Sequence, residues 1–568
     1  MSLQSKRWNI APRVPSEQAA LYPDLPLWVV QVLYNRGIRT PEEVRAFLAD
    51  DFEAPTPFEM KGVGEAVTRL QKALRHDEQI AVFGDFDVDG VTATALLVEV
   101  LQAAGGRVVP YIPHRVDEGY GLNLDALRDL WRQGVRLVIT VDCGIRSVVE
   151  VSEASKGMEI ILTDHHSVGE VLPPAVSVIN PKQQDCPYPF KELAGVGVAY
   201  KLAQAFLRMR EGIGKPVPLP EERLLDLVAL GTVADLAPLT GENRALVRRG
   251  LKVLNEAPRP GVEALMATAN VRRGDVDATA IGFRLGPRLN AAGRLRSATL
   301  AYDLLTCPDP LQTRELARQL DELNRTRQTQ TEQAVARAEA LVQEGDPEAY
   351  LYFAASPEFQ PGIVGLAAGR LTEAHYRPTV VVEQGAEESR GSCRSIAEFH
   401  ITRALDACSD LLIRHGGHAA AAGFTAATAR LEDLRIRLQE LAQEQLAGQD
   451  LRPVVDIDVE CDLADLSGVT MDHLGLFEPC GMANPRPVFL SRAARVRSMR
   501  RMGAQGQHLK LDLLDAKNAS WEAVAFGFGE RSDALTGRVD LVYTVGVNDW
   551  NHQKRTQLMV EDVRPARA

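Results

Sequence analysis

The sequence lacks the features that mark secreted, membrane and disulfide-rich proteins. Its 568 residues contain no apolar run long enough to cross a bilayer, and the first twenty lack the continuous apolar stretch of a secretory signal. The seven cysteines are scattered and never spaced as CxxC, which argues against a disulfide framework and against a zinc site. We therefore expect a cytoplasmic protein with free thiols and no membrane contact.

Positive charge is scarce overall, since 64 Lys and Arg stand against 76 Asp and Glu, for a formal net charge of −12. This balance excludes a protein coated in positive charge, but a local basic groove can still bind nucleic acid. Residues 479–511 form such a local excess, because they contain seven Lys and Arg and no acid. We expect this stretch to contribute to a nucleic-acid surface.

The chain divides into five segments by its pattern of apolar residues. Strand-length apolar runs alternate with helical stretches from about residue 60 to 255, which predicts a parallel sheet covered by helices. Residues 312–345 hold no proline and no internal glycine and predict one long helix. Short strand signals after about residue 453 predict a compact β-barrel or sandwich. The predicted segments are a helical lead at 1–55, an α/β domain at 56–311, the connecting helix at 312–345, a smaller α/β domain at 346–448 and a β-domain at 453–568.

Acidic and histidine side chains follow the apolar runs of the larger α/β domain, and we expect each of those runs to be a strand. They are Asp85, Asp87 and Asp89 after QIAVFG, Asp142 after RLVITV, Asp164, His165 and His166 after EIILT, and Asp235 within LVALGTVADLAPL. Ligands of open parallel sheets bind beyond the carboxyl ends of the strands, so these side chains should gather there. Clustered carboxylates resist ionisation unless cations neutralise them, which predicts a divalent metal site.

The ligand types indicate the metal and the reaction. Carboxylates with one or two imidazoles suit Mn²⁺ or Mg²⁺ better than Zn²⁺, and Mn²⁺ is our first choice. Two ions about 3.5–4 Å apart could share one carboxylate, activate a water and stabilise charge on a phosphoryl group. A single DxDxDG could equally form a turn or a calcium loop, and a single DHH could cap a helix. Four clusters in order within one domain favour the metal site and phosphoester hydrolysis.

GDFDVDG, VDCG, TDHH and TVADLAP resemble the four motifs of the DHH phosphoesterase superfamily. Five further stretches resemble its bacterial RecJ family, and the similarity covers nearly the whole chain: PHRVDEGYGL, ELAGVGVAYKL, FRLGPRLNAAGRL, GSCRSI and GGHAAAAGF. The resemblance implies an α/β fold with a parallel-sheet DHH domain, a long helix, a smaller α/β DHHA1 domain and an OB-fold β-barrel. It also implies a single-strand-specific DNA exonuclease that releases mononucleotides from the 5′ end, acting in DNA repair and recombination.

The same resemblance assigns roles at the metal site. The implied metal ligands are Asp85, Asp87, Asp89, Asp142, His165 and Asp235. Asp142 is the best candidate to bridge both ions. Asp164 is expected to orient a ligating histidine, while His166 contacts the scissile phosphate and ranks above Asp164 for direct chemistry.

The predicted substrate contacts lie in the remaining motifs. Arg288 and Arg115 are candidates for gripping the 5′ phosphate, because a guanidinium fork can bind two oxygens. Ser392 and Arg394 join them on a small-residue loop that could form an anion nest. His418 could approach the ligand or be a buried structural residue, and the arginines around Arg288 could simply be solvated. Tyr120 could fill the core or stack on a base, a contact worth ~1–3 kcal/mol.

Two rival functions remain open, a DHH phosphodiesterase for short oligonucleotides or cyclic dinucleotides and a non-catalytic binding scaffold. The basic β-domain favours a long polymer, and the presence of every expected carboxylate argues against a scaffold. Single-stranded DNA is the expected partner, with a single-strand-binding protein and a helicase as candidate protein partners, and we expect a monomer. The chain departs from the family at Gln360, where histidine is common, and at Ala483, where glycine is common.

Overall fold

The computed structural model describes residues 6–48, 52, 54–115, 117–468, 471–550 and 553–566. In these residues the helices are α1 Ser16–Ala20, α2 Leu27–Asn35, α3 Pro41–Leu48, α4 Val63–Arg75, α5 Val88–Ala103, α6 Leu124–Arg132, α7 Val148–Ala154, α8 Gly195–Gly212, α9 Leu225–Ala234, α10 Gly241–Glu256, α11 Pro260–Thr268, α12 Ala278–Ala280, α13 Gly286–Leu295, α14 Thr299–Thr306, α15 Pro310–Glu344, α16 Pro361–His375, α17 Ile401–Asp406, α18 Leu431–Leu446 and α19 Met471–Gly475. A π-helical turn, Ile281–Leu285, precedes α13. The strands are β1 Arg7–Ile10, β2 Gln79–Phe83, β3 Arg107–Tyr111, β4 Val135–Thr140, β5 Glu159–Thr163, β6 Ser177–Ile179, β7 Tyr352–Ser356, β8 Thr379–Glu383, β9 Glu388–Arg394, β10 Arg414–Gly417, β11 Ala421–Ala427, β12 Val454–Ile457, β13 Val459–Glu460, β14 Val488–Met502, β15 His508–Leu514, β16 Ser520–Ala525, β17 Arg538–Trp550 and β18 Gln553–Pro565.

The chain forms two compact units. The first consists of Ala49–Thr329 with Glu478–Pro485, and the second of Met1–Leu48, Gln330–Phe477 and Arg486–Ala568. Helix α15 passes from the first unit into the second, so the long helix predicted between the two α/β domains is confirmed.

The first unit is built on a five-stranded sheet in the order β3-β2-β4-β5-β6, with every pairing parallel. Its central strands are almost wholly apolar because both faces are covered. Along β2, Ile80 and Val82 belong to one core cluster, with residues of α5, α8 and α9. Ala81 and Phe83 belong to a second cluster, with residues of α6 and α7. The predicted parallel-sheet domain is confirmed.

One predicted strand of this unit is a helix. The apolar run before Asp235 forms α9, in which nine of ten residues are buried. A short apolar run that is covered on all sides has no polar face, so its periodicity cannot distinguish a strand from a buried helix. Asp235 therefore reaches the site from the C-terminal end of a helix instead of a strand end.

The second unit holds a mixed sheet and a barrel. The sheet has the order β10-β11-β9-β8-β7, and a core cluster of this unit joins β8, β9 and β11 to α17 and α18. The barrel closes through β14, β15, β16, β18 and β17, because β14 pairs with both β15 and β17. Register shifts at Ser491/Ala494 and Val496/Ser498 bend this 15-residue strand, which such closure requires. The predicted DHHA1-type and OB-type folds are confirmed.

The N-terminal segment contributes a strand as well as the predicted helices. β1 pairs in parallel with β12, and the Trp8 indole N–H donates to Asp562 of β18 at 2.8 Å. This pairing joins residues more than 400 positions apart, which no local pattern predicts. No helix in the described part of the chain is long and apolar enough to span a membrane.

Candidate metal centre

The three aspartates after β2 occupy a tight turn into α5. Asp87 is the N-cap of α5, and its Oδ1 accepts the N–H groups of Asp89 at 2.9 Å and Gly90 at 3.1 Å. Gly90 is required here, because a Cβ would lie 2.5 Å from the backbone nitrogen of Asp85. This turn folds Asp85 back against the first turn of α5, and the carboxylates of Asp85 and Asp87 lie in one group of ligand atoms with Asp142.

Asp142 adopts a left-handed backbone conformation directly after β4. Its φ of 61° is unfavourable for a residue with a Cβ, and its side chain is buried. Strain of this kind persists where the surrounding structure enforces it, and it is concentrated at functional sites. The strained turn directs the Asp142 carboxylate to the cluster, with Oδ1 3.0 Å from Nε2 of His165.

The carboxylate of Asp164 is fully occupied by hydrogen bonds from the protein. Its Oδ2 accepts the Ile145 N–H, and its Oδ1 accepts the N–H groups of His165 and His166 and lies 2.7 Å from the His166 Nδ1. Burial opposes ionisation, but these hydrogen bonds outweigh it and lower the pKa of Asp164. Asp164 thus shapes the turn that holds both histidines, but the imidazole that it contacts is that of His166, while the predicted ligand His165 donates only its backbone N–H.

Helix α8 holds Asp89 from the other side. The N–H groups of Gly195 and Val196 donate to its Oδ2 and Oδ1, each at 2.7 Å. These N–H groups have no partner within the helix because they lie at its N-terminus, which favours a negative charge. Asp235 lies at the C-terminal end of α9, with its Oδ2 3.9 Å from the His165 Nδ1.

The cluster contains three overlapping groups of ligand atoms that lie within 4.8 Å of one another. They are Asp142 with His165 and His166, Asp89 with His165 and Asp235, and Asp85 with Asp87 and Asp142. Three buried atoms in these groups make no well-aligned hydrogen bond to any residue that the structure describes, although the last two lie 3.0 Å apart: Asp85 Oδ1, Asp142 Oδ1 and His165 Nε2. Buried polar atoms are rarely left unpaired in this way. The donor set therefore fits two divalent cations of the Mn²⁺ and Mg²⁺ type, with Asp142 common to two groups.

Burial and the crowding of carboxylates shift the pKa values of side chains in the cluster. Burial, and then the charge of Asp87, raises the pKa of Asp89 to about 7. Burial and the charge of Asp89 raise the pKa of Asp235 to about 9, and burial lowers the pKa of His165 to about 3. These shifts keep protons on Asp89 and Asp235, so cation binding would displace protons from these two carboxyl groups, whereas the His165 imidazole is already neutral and able to bind.

Arg115 and Tyr120 border the cluster. The Arg115 guanidinium stacks 4.0 Å over the ring of Phe86, and burial lowers its pKa. The Tyr120 hydroxyl lies 3.1 Å from the His166 Nδ1 and donates to the Asp142 carbonyl at 3.2 Å. Tyr120 is 55% exposed, so its hydroxyl is engaged in the site while much of its surface remains accessible.

The remaining predicted substrate residues are distributed over both units. Arg288 of α13 donates to Asp321 of α15 at 3.0 Å, an ion pair that the local sequence, with no acid nearby, did not indicate. Ser392 and Arg394 belong to the second unit, and the Arg394 guanidinium donates to the Ser392 hydroxyl at 3.3 Å. His418 is exposed at a hairpin turn, where its N–H donates to the Ala421 carbonyl.

The predicted anion nest at GSCRS is wrong. Ser392 and Arg394 belong to β9, a strand between β8 and β11, where Ser392 is paired with Val381 and Gly423. Strand pairing engages the backbone N–H groups that a nest would need. The side chains instead face α16, because a Cβ on Gly365 would lie 3.0 Å from the Ser392 Oγ.

The motif FRLGPRLNAAGRL supports the metal loop, a role that its sequence did not indicate. The Asn290 side-chain oxygen accepts the Val88 N–H at 3.2 Å, and Gly293 lies so close to Phe86 that a Cβ would be 2.3 Å from its carbonyl oxygen. The missed residues Asn290, Gly195 and Val196 all lie in stretches that carried the family resemblance. That resemblance was the only signal by which they could have been found.

Acids on neighbouring strands compensate much of the basic stretch in the barrel. The pairs are Arg492 with Glu460 and Asp540, Arg497 with Asp512, and Lys510 with Glu522. The stretch is basic in sequence but less so on the folded surface, because strand pairing brings acids that are distant in the chain.

Comparisons with known proteins relate nearly the whole chain to one family. Sequence models match residues 79–232 as DHH family, N-terminal domain, residues 348–444 as DHHA1 domain and residues 457–562 as RecJ OB domain. The single-stranded-DNA-specific exonuclease RecJ of Bacillus subtilis is 38% identical over 540 residues, 94% of this chain and 67% of that protein. The protein of the same description from Dickeya dadantii is 36% identical over 97% of this chain and 98% of its own. The crystal structure of RecJ in complex with Mn²⁺ from Thermus thermophilus has a TM-score of 0.84 at 32% identity, over 99% of this chain and 80% of that one.

Proposed function

Because the chain belongs to the RecJ family of single-stranded-DNA-specific exonucleases, we propose that it degrades single-stranded DNA from the 5′ end and releases 5′-mononucleotides. The observation that carries the proposal is the set of three overlapping ligand groups, in which Asp142 and His165 each belong to two. A shared carboxylate is what a two-ion site for in-line phosphoryl displacement requires.

The chain's own residues divide the work at this site. Bound divalent ions would supply an activated water and neutralise charge on the scissile phosphate. Asp85, Asp87, Asp89, Asp142, His165 and Asp235 would hold the ions. Asp164 fixes both histidines, and its hydrogen bond outweighs burial to raise the pKa of His166. With Nδ1 engaged by Asp164 and Tyr120, the Nε2 of His166 is left to donate a hydrogen bond to the phosphate.

Substrate-binding roles are proposed for residues of each unit. In the first unit, Arg115 is positioned by Phe86 close enough to Asp85 and Asp87 for their charges to act on it. In the second, Arg394 and Ser392 lie against Gly365, near the N-terminal end of the 15-residue helix α16. They would offer a guanidinium and a hydroxyl to a phosphate group, whose negative charge a helix N-terminus also favours. Arg288 and His418 keep their proposed roles, although Arg288 would have to share its guanidinium with Asp321.

Digestion of 5′- and 3′-labelled single strands with Mn²⁺, Mg²⁺ or chelator tests the reaction, its direction and its cation together. We expect a 5′ label to appear at once as mononucleotide while a 3′-labelled strand shortens gradually, with no cleavage in chelator. Asp142→Ala should abolish hydrolysis and leave strand binding measurable. Release of the 3′ label first, or internal fragments, would contradict the proposal. A parallel assay with a dinucleotide as substrate distinguishes this enzyme from phosphodiesterases that act on short substrates.

The finer organisation is proposed on the same basis. The domain boundaries 1–55, 56–311, 312–345, 346–448 and 453–568 enclose the ranges that the three family models match. A monomeric state, a cytoplasmic location, and contacts with a single-strand-binding protein and a helicase complete the proposal. Light scattering and pull-down with each purified partner test the state and the contacts.

A further inference from the structure

Phe283 is the most exposed large apolar side chain in the part of the chain that the structure describes. Its exposed fraction is 81%, while Ile281 and Leu285 in the same π-helical turn are completely buried. The turn therefore packs two apolar side chains into the core and leaves the aromatic one in solvent. Isolated π-helical turns of this kind are frequent at functional sites.

The packing of α13 shows where Phe283 lies. Gly286, Asn290 and Gly293 form one stripe of this helix, and the stripe faces the metal-ligand segments. A Cβ on Gly286 would lie 3.5 Å from Ala234, which precedes Asp235, and Asn290 and Gly293 contact the loop that bears Asp85, Asp87 and Asp89. Gly282, on the other side of Phe283 from Gly286, also lies against α9, since a Cβ there would be 4.0 Å from Val233. The turn that carries Phe283 thus packs beside the end of α9, directly before the predicted ligand Asp235, and its aromatic ring is exposed to solvent there.

The turn that carries Phe283 is anchored on both sides. The Arg284 guanidinium donates to the carbonyl oxygens of Ala269 and of Asn270, the latter at 2.6 Å. The Arg288 guanidinium donates to the Arg284 carbonyl at 2.7 Å and to Asp321 at 3.0 Å. The two arginines therefore hold the backbone of the turn, and the aromatic ring is presented on a fixed support.

We propose that Phe283 is a nucleobase-stacking residue of the substrate strand. This inference rests on the proposed function, because it needs a nucleic-acid strand to pass the metal centre. A phenyl ring stacks on any of the four bases, so the contact holds the strand without selecting its sequence. Aromatic stacking would position the nucleotide that lies next to the phosphate under attack.

Substitution of the ring tests the proposal. We expect Phe283→Ala to lower kcat/KM on single-stranded DNA by about 5- to 150-fold, the equivalent of ~1–3 kcal/mol, and Phe283→Trp to retain it. Phe283→Leu keeps apolar surface but no aromatic face, and should resemble the alanine variant. Trp131→Ala is the matched control, since Trp131 is a 49% exposed aromatic of the same unit that contacts Gly157 near the amino end of β5. It should behave as wild type.

An abasic scan identifies the contact as stacking. Strands with one abasic site at each of the first nucleotides in turn are compared for wild type and Phe283→Ala, with strand affinity in chelator as a readout free of chemistry. At one position the loss caused by Phe283→Ala should disappear, because no base remains to stack. Wild-type kcat/KM in Phe283→Ala, or the same loss at every position, overturns the proposal. If the wild-type protein itself leaves the unmodified strand intact, the proposed function fails instead.

Discussion

Substitution of Gly195, the first residue of α8, by alanine should damage the metal centre more than the fold. Its N–H holds Asp89 at 2.7 Å, and its Cα lies against the carboxylate common to two ligand groups. A Cβ at this position would be 2.7 Å from the Cβ of Asp142 and 2.8 Å from its Oδ1. Because both residues are buried, the new methyl group has no open space to enter.

The expected size of the effect follows from the distances. Asp142 would have to move by about 0.7 Å to restore an ordinary contact of 3.4 Å. Catalytic groups must be held to within about 0.5 Å, and an error of ~1 Å can cost about 100-fold in rate. We therefore expect a 10- to 100-fold lower kcat/KM and a similar loss of Mn²⁺ affinity. Overpacking should cost only about 1–3 kcal/mol of unfolding free energy.

Three measurements on two variants check this reasoning. Mn²⁺ affinity by titration calorimetry, exonuclease turnover and thermal melting are compared for Gly195→Ala and Gly212→Ala. Gly212 ends the same helix, and a Cβ there meets no atom within 4 Å, so the control should match wild type in all three. Wild-type Mn²⁺ affinity and turnover in a folded Gly195→Ala protein would refute the placement of this glycine against Asp142.

Three further predictions concern pH, the 5′ phosphate and the backbone. The raised pKa values of Asp89 and Asp235, about 7 and about 9, mean that the folded metal-free protein binds more protons than the unfolded chain. Its stability should therefore fall as pH rises through this window. Because the carboxylates are then free of protons to bind Mg²⁺, the increase in Tm on adding Mg²⁺ should be larger at pH 8.5 than at pH 7. An equal increase at both pH values would contradict the linkage. Arg394→Gln should lower kcat/KM more for 5′-phosphorylated than for 5′-hydroxyl strands, and equal losses would argue against a phosphate contact. Ala483→Gly should raise the unfolding free energy by up to ~1 kcal/mol, because Ala483 has a φ of 58°, which is strained for a residue with a Cβ. Denaturant melts measure this change, and a decrease would show that the conformation is not strained.

The sequence by itself determined the class of the fold and predicted which acidic and histidine side chains gather at one edge of the sheet. Apolar runs that alternate with helical stretches specify parallel strands, and the carboxyl ends of such strands meet at one edge. Asp142 and the Asp164, His165 and His166 group could therefore be placed together with Asp85, Asp87 and Asp89 without coordinates. The residue types then limited the metal, because carboxylate oxygen and imidazole favour Mn²⁺ and Mg²⁺.

Only the tertiary structure decided which of these side chains are free to bind. Asp164 is occupied by three N–H groups and a histidine, Asp89 is held by α8, and Arg288 is paired with Asp321, 33 residues away. The strand around Ser392 and the exposure of Phe283 were likewise outside the reach of local patterns. Periodicity reports which face of an element is covered, whereas the partner of each polar group depends on packing between segments far apart in the chain.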